Sequence, residues 1–167
     1  MEINIELTRN DFADFNKYWF LKRGLKKRIY LVIIVAFGLP FVVNLGRPFE
    51  IVTYLMTVVL TGLLFGLIYL GGMMIAVNRT KNLPSDNGSV LGKKKFMITD
   101  EGLIEESENN RNLQKWKGIK GVETNDNSVF IVVDNIAAYI IPKRFFRDSE
   151  EQRNFINAIE EKMKNAT

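Results

Sequence analysis

The side chains that most enzymes use for catalysis are scarce in this sequence. It contains no histidine and no cysteine, which removes the usual general base, the usual zinc ligands and the thiolate nucleophile. Glu105 and Glu106 occupy adjacent positions of an expected strand, where they point to opposite faces and cannot converge on one substrate. We interpret them as part of a solvated turn, and we expect a non-enzymatic protein with no catalytic residue, no cofactor and no metal.

Basic residues could bind anions at two places. The first group flanks two apolar segments, and its candidate contacts to lipid headgroups are Lys22, Arg23, Lys26, Lys27, Arg28, Arg79 and Lys81. The second group lies on the expected surface of a C-terminal domain and comprises Lys143, Arg144 and Arg147. The alternatives are ordinary stop-transfer charge for the first group and a solvated edge that discourages strand pairing for the second.

Nucleic acid is not an expected partner. From Val90 onward the chain has thirteen basic and thirteen acidic residues, so that the C-terminal region is neutral overall. Electrostatic binding to nucleic acid requires net neutralisation of phosphates.

Two uncharged segments lie between the basic residues at 22–28 and those at 79 and 81. Ile29–Leu45 and Ile51–Val77 are each long enough to cross about 30 Å of hydrocarbon at about 1.5 Å per residue. The five-residue turn at 46–50 forces the two helices to lie antiparallel and leaves no room for an external domain. These features predict a transmembrane helical hairpin. Because neither span contains an ionisable residue, a channel or transporter is not favoured.

The positions of the charges predict an orientation. Residues 1–28 carry a net charge of +3, and lysine and arginine beside spanning helices stay in the cytoplasm. We therefore expect a multi-pass protein of the bacterial inner (cytoplasmic) membrane with both termini in the cytoplasm. Gly62 and Gly66, four residues apart, predict close helix packing within the hairpin, with homodimerisation as the open alternative.

The segments outside the spans alternate between strand and helix patterns. Ile3–Leu7 alternates apolar and polar residues, and Thr8 with Asp11 forms a helix-capping pattern. Six short strands are expected from Lys95 to Ile141, followed by a helix that begins with a capping box at 149–152. Such a β-meander with a C-terminal helix follows a pleckstrin-homology-like (PH-like) plan, to which the strand at Ile3–Leu7 could add a seventh strand.

The predicted chain is thus an α+β membrane protein. Its parts are a cytoplasmic strand and amphipathic helix (1–28), transmembrane helix 1 (29–45), a short external turn (46–50), transmembrane helix 2 with a stalk (51–77), a linker (78–92) and a cytoplasmic PH-like domain (93–167).

The order of these features resembles a known family. Leu7-Thr8 with Asp11-Phe12 and Phe15, the two spans, the segment 98–103, Trp116, and the segment 141–146 before 149–151 together resemble the bacterial YcxB-like family. The resemblance implies a two-span protein with a cytoplasmic PH-like domain. It implies no established activity and supplies no catalytic residues.

The function expected from the sequence is that of a membrane-anchored interaction module. It would present a small PH-like domain at the cytoplasmic face to a protein partner or to lipid headgroups, with the bilayer itself as a constant partner. The alternative is a membrane-resident immunity protein that neutralises a toxin acting at the membrane.

Overall fold

The computed structural model describes residues 1–46, 48, 50–85, 88 and 90–166, apart from the side chains at 23, 24 and 26. The chain forms two compact units. We call the first unit, Met1–Tyr18 with Thr80–Thr167, the domain, and the second, Trp19–Arg79, the helical unit. Parts of the predicted turn at 46–50 and of the linker, at positions 47, 49, 86, 87 and 89, lie outside the described residues.

The first sheet of the domain combines both ends of the chain. Strands β1 (Glu2–Leu7), β2 (Gly92–Ile98), β3 (Gly102–Ser107) and β4 (Arg111–Lys115) form it in that order, and every neighbouring pair is antiparallel. In the β1–β2 pair, Glu2 lies opposite Met97 and Leu7 lies opposite Gly92. The structure therefore confirms the hypothesis that the N-terminal strand joins the sheet of the C-terminal region.

The second sheet contains β5 (Gly121–Thr124), β6 (Ser128–Asp134) and β7 (Ala137–Pro142), again antiparallel and in that order. All five residues from Ser128 to Val132 are buried, so both faces of β6 are covered. On one face, the ring of Phe130 lies 5.5 Å from the ring of Phe15 and 5.0 Å from that of Tyr18. The start of helix α1 (Arg9–Val43) thus covers this sheet.

Helix α3 (Ser149–Asn165) completes the domain, and Phe155 and Ile159 of its apolar stripe are fully buried. The predicted first residue of its capping box is wrong by one position. Asp148, in an extended conformation, is the N-cap, and its carboxylate accepts a hydrogen bond of 2.7 Å from the backbone N–H of Glu151. An aspartate there also places negative charge at the positive end of the helix. The antiparallel meander and the C-terminal helix are both as predicted.

The helical unit contains most of α1 and of helix α2 (Ile51–Lys81), which lie antiparallel. The Tyr54 hydroxyl donates to the carbonyl oxygen of Phe37 at 3.1 Å, whereas the Arg28 guanidinium donates to the Tyr69 hydroxyl at 3.2 Å. Positions late in α1 thus meet positions early in α2. Helix α2 extends past Val77 through Lys81, so the start of the predicted linker is helical.

Only α2, among the described residues, is a helix long and apolar enough to cross a membrane. Helix α1 is one continuous helix that ends at Val43, two residues before the predicted end of the first span. Its uncharged part, Ile29–Val43, has fifteen residues, whereas a span needs about twenty. The predicted second crossing, and with it the two-span hairpin, is not confirmed.

The β1 strand should contribute directly to the stability of the domain. Because Ile5 is only 3% exposed, Ile5→Ala should lower the free energy of unfolding by about 2–4 kcal/mol. The matched control is Ile136→Ala at a position that is 82% exposed, where we expect a change within about 0.5 kcal/mol. Urea unfolding of the full chain in lipid nanodiscs, followed by tryptophan fluorescence, measures both. Equal stabilities of the two variants would show that β1 is not part of the folded domain.

Candidate functional site

The strand register places charged side chains on the inner, apolar face of the first sheet. Phe96 lies opposite Ile3, and its neighbour two positions away, Lys94, therefore shares the inner face. Glu105 lies opposite Phe96 on the other side and shares that face too. The Lys94 ammonium and the Glu105 carboxylate form an ion pair, with side-chain exposures of only 8% and 16%. A lysine so deeply buried is unusual, and its charge is balanced by the glutamate.

Two further polar groups lie next to this ion pair on other strands, namely Tyr139, which is partly buried, and Asn112, which lies opposite Glu105 and is exposed. The ring of Tyr139 in β7 lies edge-on to Phe96 at 5.7 Å, and its hydroxyl accepts a hydrogen bond of 2.9 Å from the side-chain amide of Asn112 in β4. Burial, followed by the negative charge of Glu105, raises the pKa of Tyr139 above its ordinary value. The tyrosine hydroxyl therefore keeps its proton at neutral pH. We call Lys94, Glu105, Asn112 and Tyr139 the polar cluster.

A cavity of about 330 Å³ lies beside the polar cluster. Three of the cluster residues, Lys94, Glu105 and Tyr139, form part of its wall. The remainder is apolar and includes Leu7, Phe12, Phe15, Phe96, Ala138 and Ile140. An apolar cavity with a few convergent polar groups is the usual form of a small-molecule site.

The chemistry available at this cavity is hydrogen bonding and the burial of apolar surface. Lys94 can donate further hydrogen bonds, Glu105 can accept them, and the Tyr139 hydroxyl can do both. Within the described part of the chain, no three histidine, cysteine, aspartate or glutamate side chains are grouped so that they could hold a metal ion. The arrangement therefore offers hydrogen-bonding groups beside apolar surface.

A comparison with known protein families matches part of the domain. Residues 98–159 match the model of the YcxB-like protein family. Over these 62 of the 167 residues, which we call the YcxB-like region, the chain is similar to that family. The matched region runs from the end of β2 into α3 and confirms the predicted resemblance there. No curated protein and no solved structure matches the chain.

The polar cluster and its surroundings draw on both the YcxB-like region and the segments before it. Glu105, Asn112 and Tyr139 lie inside the matched region, whereas Lys94 lies four positions before it. Leu7, Phe12 and Phe15 come from the N-terminal end of the chain. The cavity is therefore complete only when β1 and the start of α1 are in place beside the YcxB-like region.

A second interaction joins the N-terminal segment to the YcxB-like region. The guanidinium of Arg144 donates two parallel hydrogen bonds to Asp11, of 2.5 and 2.7 Å, and one of 3.2 Å to the backbone carbonyl of Glu6. The Asp11 carboxylate also accepts from the backbone N–H and the hydroxyl of Thr8, at 2.8 and 2.7 Å, which confirms the predicted cap of α1. We call Thr8, Asp11 and Arg144 the clasp.

The clasp changes the ionisation of Asp11. Its burial, at 7% side-chain exposure, opposes the charged form. The hydrogen bonds from Arg144 and Thr8 and the charge of Arg144 outweigh that burial and lower the pKa of Asp11 below its ordinary value of 3.8. In turn, the hydrogen bond to Asp11 and its negative charge raise the pKa of Arg144. Arg144, half of whose side chain is exposed, is thus held at the surface of the domain by its ion pair with the buried Asp11.

The other two predicted surface residues of the YcxB-like region have different surroundings. Arg147 is exposed, and its side chain pairs with Glu151 at 3.1 Å at the start of α3. Lys143 is partly buried, and its backbone N–H donates to the carbonyl of Asn127 at 2.8 Å. The structure thus places the side chains of Arg144 and Arg147 in two separate ion pairs.

The basic residues near the apolar segments are also placed individually. Arg28 donates to the carbonyl of Phe20 and to the Tyr69 hydroxyl, and its guanidinium lies 3.4 Å from the centre of the Phe20 ring. Lys22, Lys27 and Arg79 are exposed, and Lys81 is partly buried. The side chains of Arg23 and Lys26 lie outside the described residues.

The two glycines predicted to pack helices differ. A Cβ atom at Gly62 would lie 3.6 Å from that of Ala36 on α1, an ordinary contact distance, whereas a Cβ at Gly66 would meet no heavy atom within 4 Å. The close approach of the two helices is therefore at Gly62.

The polar cluster was missed by the sequence analysis, which placed Glu105 in a solvated turn. That interpretation is wrong for Glu105, although it and Glu106 do point to opposite faces, as predicted. The available signal was the alternation of β2, in which Lys94 shares a face with Phe96 and Ile98. The run of three lysines at 93–95 obscured it.

Acid should destabilise the domain through Asp11. Folding lowers the pKa of this carboxyl. The stability that the clasp contributes is therefore fully present above pH 3.8, and it is lost as the pH falls through the pKa of Asp11 in the folded protein. Asp11→Asn should cost about 1–3 kcal/mol at neutral pH and remove this part of the acid dependence. The measurement is urea unfolding at a series of pH values. Asp126→Asn, in an exposed turn, is the control, and an acid profile of Asp11→Asn identical to that of the unaltered chain would contradict the role of the clasp.

The buried ion pair predicts an unequal response to single and double substitution. Lys94→Met leaves Glu105 buried without its partner and should cost about 3 kcal/mol or more. The combined Lys94→Met and Glu105→Leu variant removes both charges and should be closer to the unaltered chain in stability. A double-mutant cycle measured by urea unfolding tests this. Additive effects of the two substitutions would mean that the side chains do not interact.

Proposed function

We propose that the protein is a non-enzymatic, membrane-anchored interaction module of the bacterial inner membrane. In this proposal α1 and α2 cross the bilayer as a hairpin, both termini are cytoplasmic, and the domain offers its surface to a protein partner. Two antiparallel sheets followed by a C-terminal helix support a PH-like plan for that domain.

The observation that carries the proposal is the exposure of bulky apolar side chains along α2. Val58 is its one buried residue among those described, whereas Val52, Leu67 and Met74 are each more than 60% exposed. Apolar surface in water costs about 25 cal/mol per Å², and a helix exposed in this way on all sides is stable in hydrocarbon. The bilayer is therefore the solvent that we assign to α2.

The same exposure extends along α1. Leu31 and Ile34 are more than 60% exposed, and Pro40 is buried. The uncharged part of α1 is short for a span, but long basic side chains at its start can extend toward the headgroups while their stems stay in the apolar layer. Lys27 is well placed for this role because it is exposed and immediately precedes Arg28.

Strand β4 offers the clearest surface for a protein partner. It is at the edge of the first sheet, and four of its five residues are exposed, including Leu113 at 40%. Arg111 and Lys115 flank this leucine on the same strand. An extended segment of a partner could add to such an edge, with main-chain hydrogen bonds for affinity and side chains for specificity.

The topology can be tested with single cysteines, because the natural chain has none. Leu45→Cys, beside the end of α1, should react with a membrane-impermeant maleimide on intact cells whose outer layers have been made permeable. Asn157→Cys, exposed on α3, should react only after lysis. Reaction of both positions on intact cells, or release of the protein from membranes by alkaline carbonate, would contradict the proposed anchoring and orientation.

The interaction role requires a separate experiment in native membranes. A photo-crosslinking amino acid at Leu113 should give one reproducible protein adduct, and the same group at Asn157 serves as the exposed control. Combining the Leu113 probe with Arg111→Glu and Lys115→Glu should abolish the adduct if β4 is the docking edge. Adducts with lipid alone would reject a protein partner at this edge.

A further inference from the structure

The cavity beside the polar cluster is formed by residues of the domain alone. Its volume of about 330 Å³ lies within the range of small-molecule sites, which begins at about 300 Å³. Aromatic and aliphatic side chains such as Phe12, Phe96 and Ile140 line most of it, and the small side chains of Ala137 and Ala138 leave space beside β7. These walls suit an aliphatic chain, because they offer it apolar contact and no hydrogen-bonding group along its length.

The polar part of the wall has hydrogen-bonding capacity without net charge. Lys94 carries three N–H donors and Glu105 four acceptor positions, so the ion pair between them leaves several unused by each other. The Tyr139 hydroxyl receives a hydrogen bond from Asn112 and still has its own proton to donate. A ligand can therefore find both a donor and an acceptor at this end of the cavity.

The balance of charge selects the ionisation state of the ligand. A carboxylate would add a negative charge beside Glu105, and an ammonium would add a positive charge beside Lys94. Either charge would enter a mainly apolar site whose two charged side chains already pair with each other, which is costly. An uncharged hydroxyl or amide avoids this cost and can be fully hydrogen-bonded.

We propose that this cavity binds a neutral amphiphile, namely an aliphatic chain that ends in one uncharged hydrogen-bonding group, with that group at Lys94, Glu105 and Tyr139. The chain can belong to a free molecule, such as an alcohol, or to a neutral lipid with a glycerol end. The two sources share the chemistry that the site recognises. The inference does not depend on the proposed protein partner or on the orientation in the membrane.

The first test compares three ligands of equal chain length with the full chain in lipid nanodiscs. Octanol, octanoate and octylamine are titrated, with free concentrations corrected for partition into protein-free nanodiscs. Methyl-labelled alanine provides the signal, with Ala137 and Ala138 as cavity reporters and Ala158 on α3 as the reporter outside it. Octanol should shift the cavity reporters in a saturable manner, and the two charged ligands should bind at least about tenfold more weakly, a difference of about 1.4 kcal/mol.

Mono-octanoylglycerol forms a fourth arm that distinguishes the sources. Saturable shifts with octanol alone would assign the site to free alcohols, and shifts with both ligands would extend it to neutral lipids. Equal affinity for octanol, octanoate and octylamine, or shifts of the Ala158 methyl as large as those of Ala138, would overturn the proposal.

Two variants locate the binding. Ala138→Leu reduces the cavity and should weaken octanol binding at least about tenfold, whereas Ala166→Leu, the same substitution beyond the end of α3, should not change it. The combined Lys94→Met and Glu105→Leu variant keeps the apolar walls and removes two of the three polar groups, so octanol should again bind more weakly. Unchanged octanol affinity in Ala138→Leu or in the combined variant, with the Ala158 methyl at its native position, would contradict the assignment.

Discussion

The pairing of β1 with β2 is the constraint on which the rest of this structure depends. The two strands are adjacent in the sheet, yet the whole helical unit lies between them in the chain. The entropic cost of closing so long a connection grows only slowly with its length, so the sheet tolerates the insertion. The buried side chains of Ile3, Ile5 and Leu7 provide apolar burial that offsets that cost.

Several other features follow from this pairing. With β1 in the sheet, Thr8 begins α1 at the sheet edge, and Asp11 reaches Arg144 in the YcxB-like region. The next turns of α1 bring Phe15 and Tyr18 against Phe130. The cavity beside the polar cluster then has walls from both ends of the chain. The N-terminal segment is therefore an integral part of the domain, and the YcxB-like region supplies the larger share of its strands.

The sequence predicted the elements of the domain more reliably than their polar contacts. Alternation predicted β1, because a half-buried strand leaves a local pattern with a period of two, and the turn residues between short β-prone runs predicted the other six strands. The Lys94–Glu105 pair left no such signal, since it depends on the register between β2 and β3 and on Tyr139 from the other sheet. Arg144 illustrates the same limit, because nothing near it in the sequence indicates an aspartate at position 11. The end of the first span was predicted two residues too late, because Asn44 and Leu45 are uncharged and do not mark the end of the helix at Val43.

Native-state hydrogen exchange is the measurement that tests the discontinuous domain most directly. If β1 is an integral strand, the hydrogen-bonded amides of β1 should exchange only through the same opening as those of β6, with free energies close to that of global unfolding. Substitutions that destabilise the domain should lower the exchange free energies of the β1 amides and of the β6 amides equally. Protection of β6 together with exchange of the β1 amides at the rate of an unstructured peptide would contradict the account.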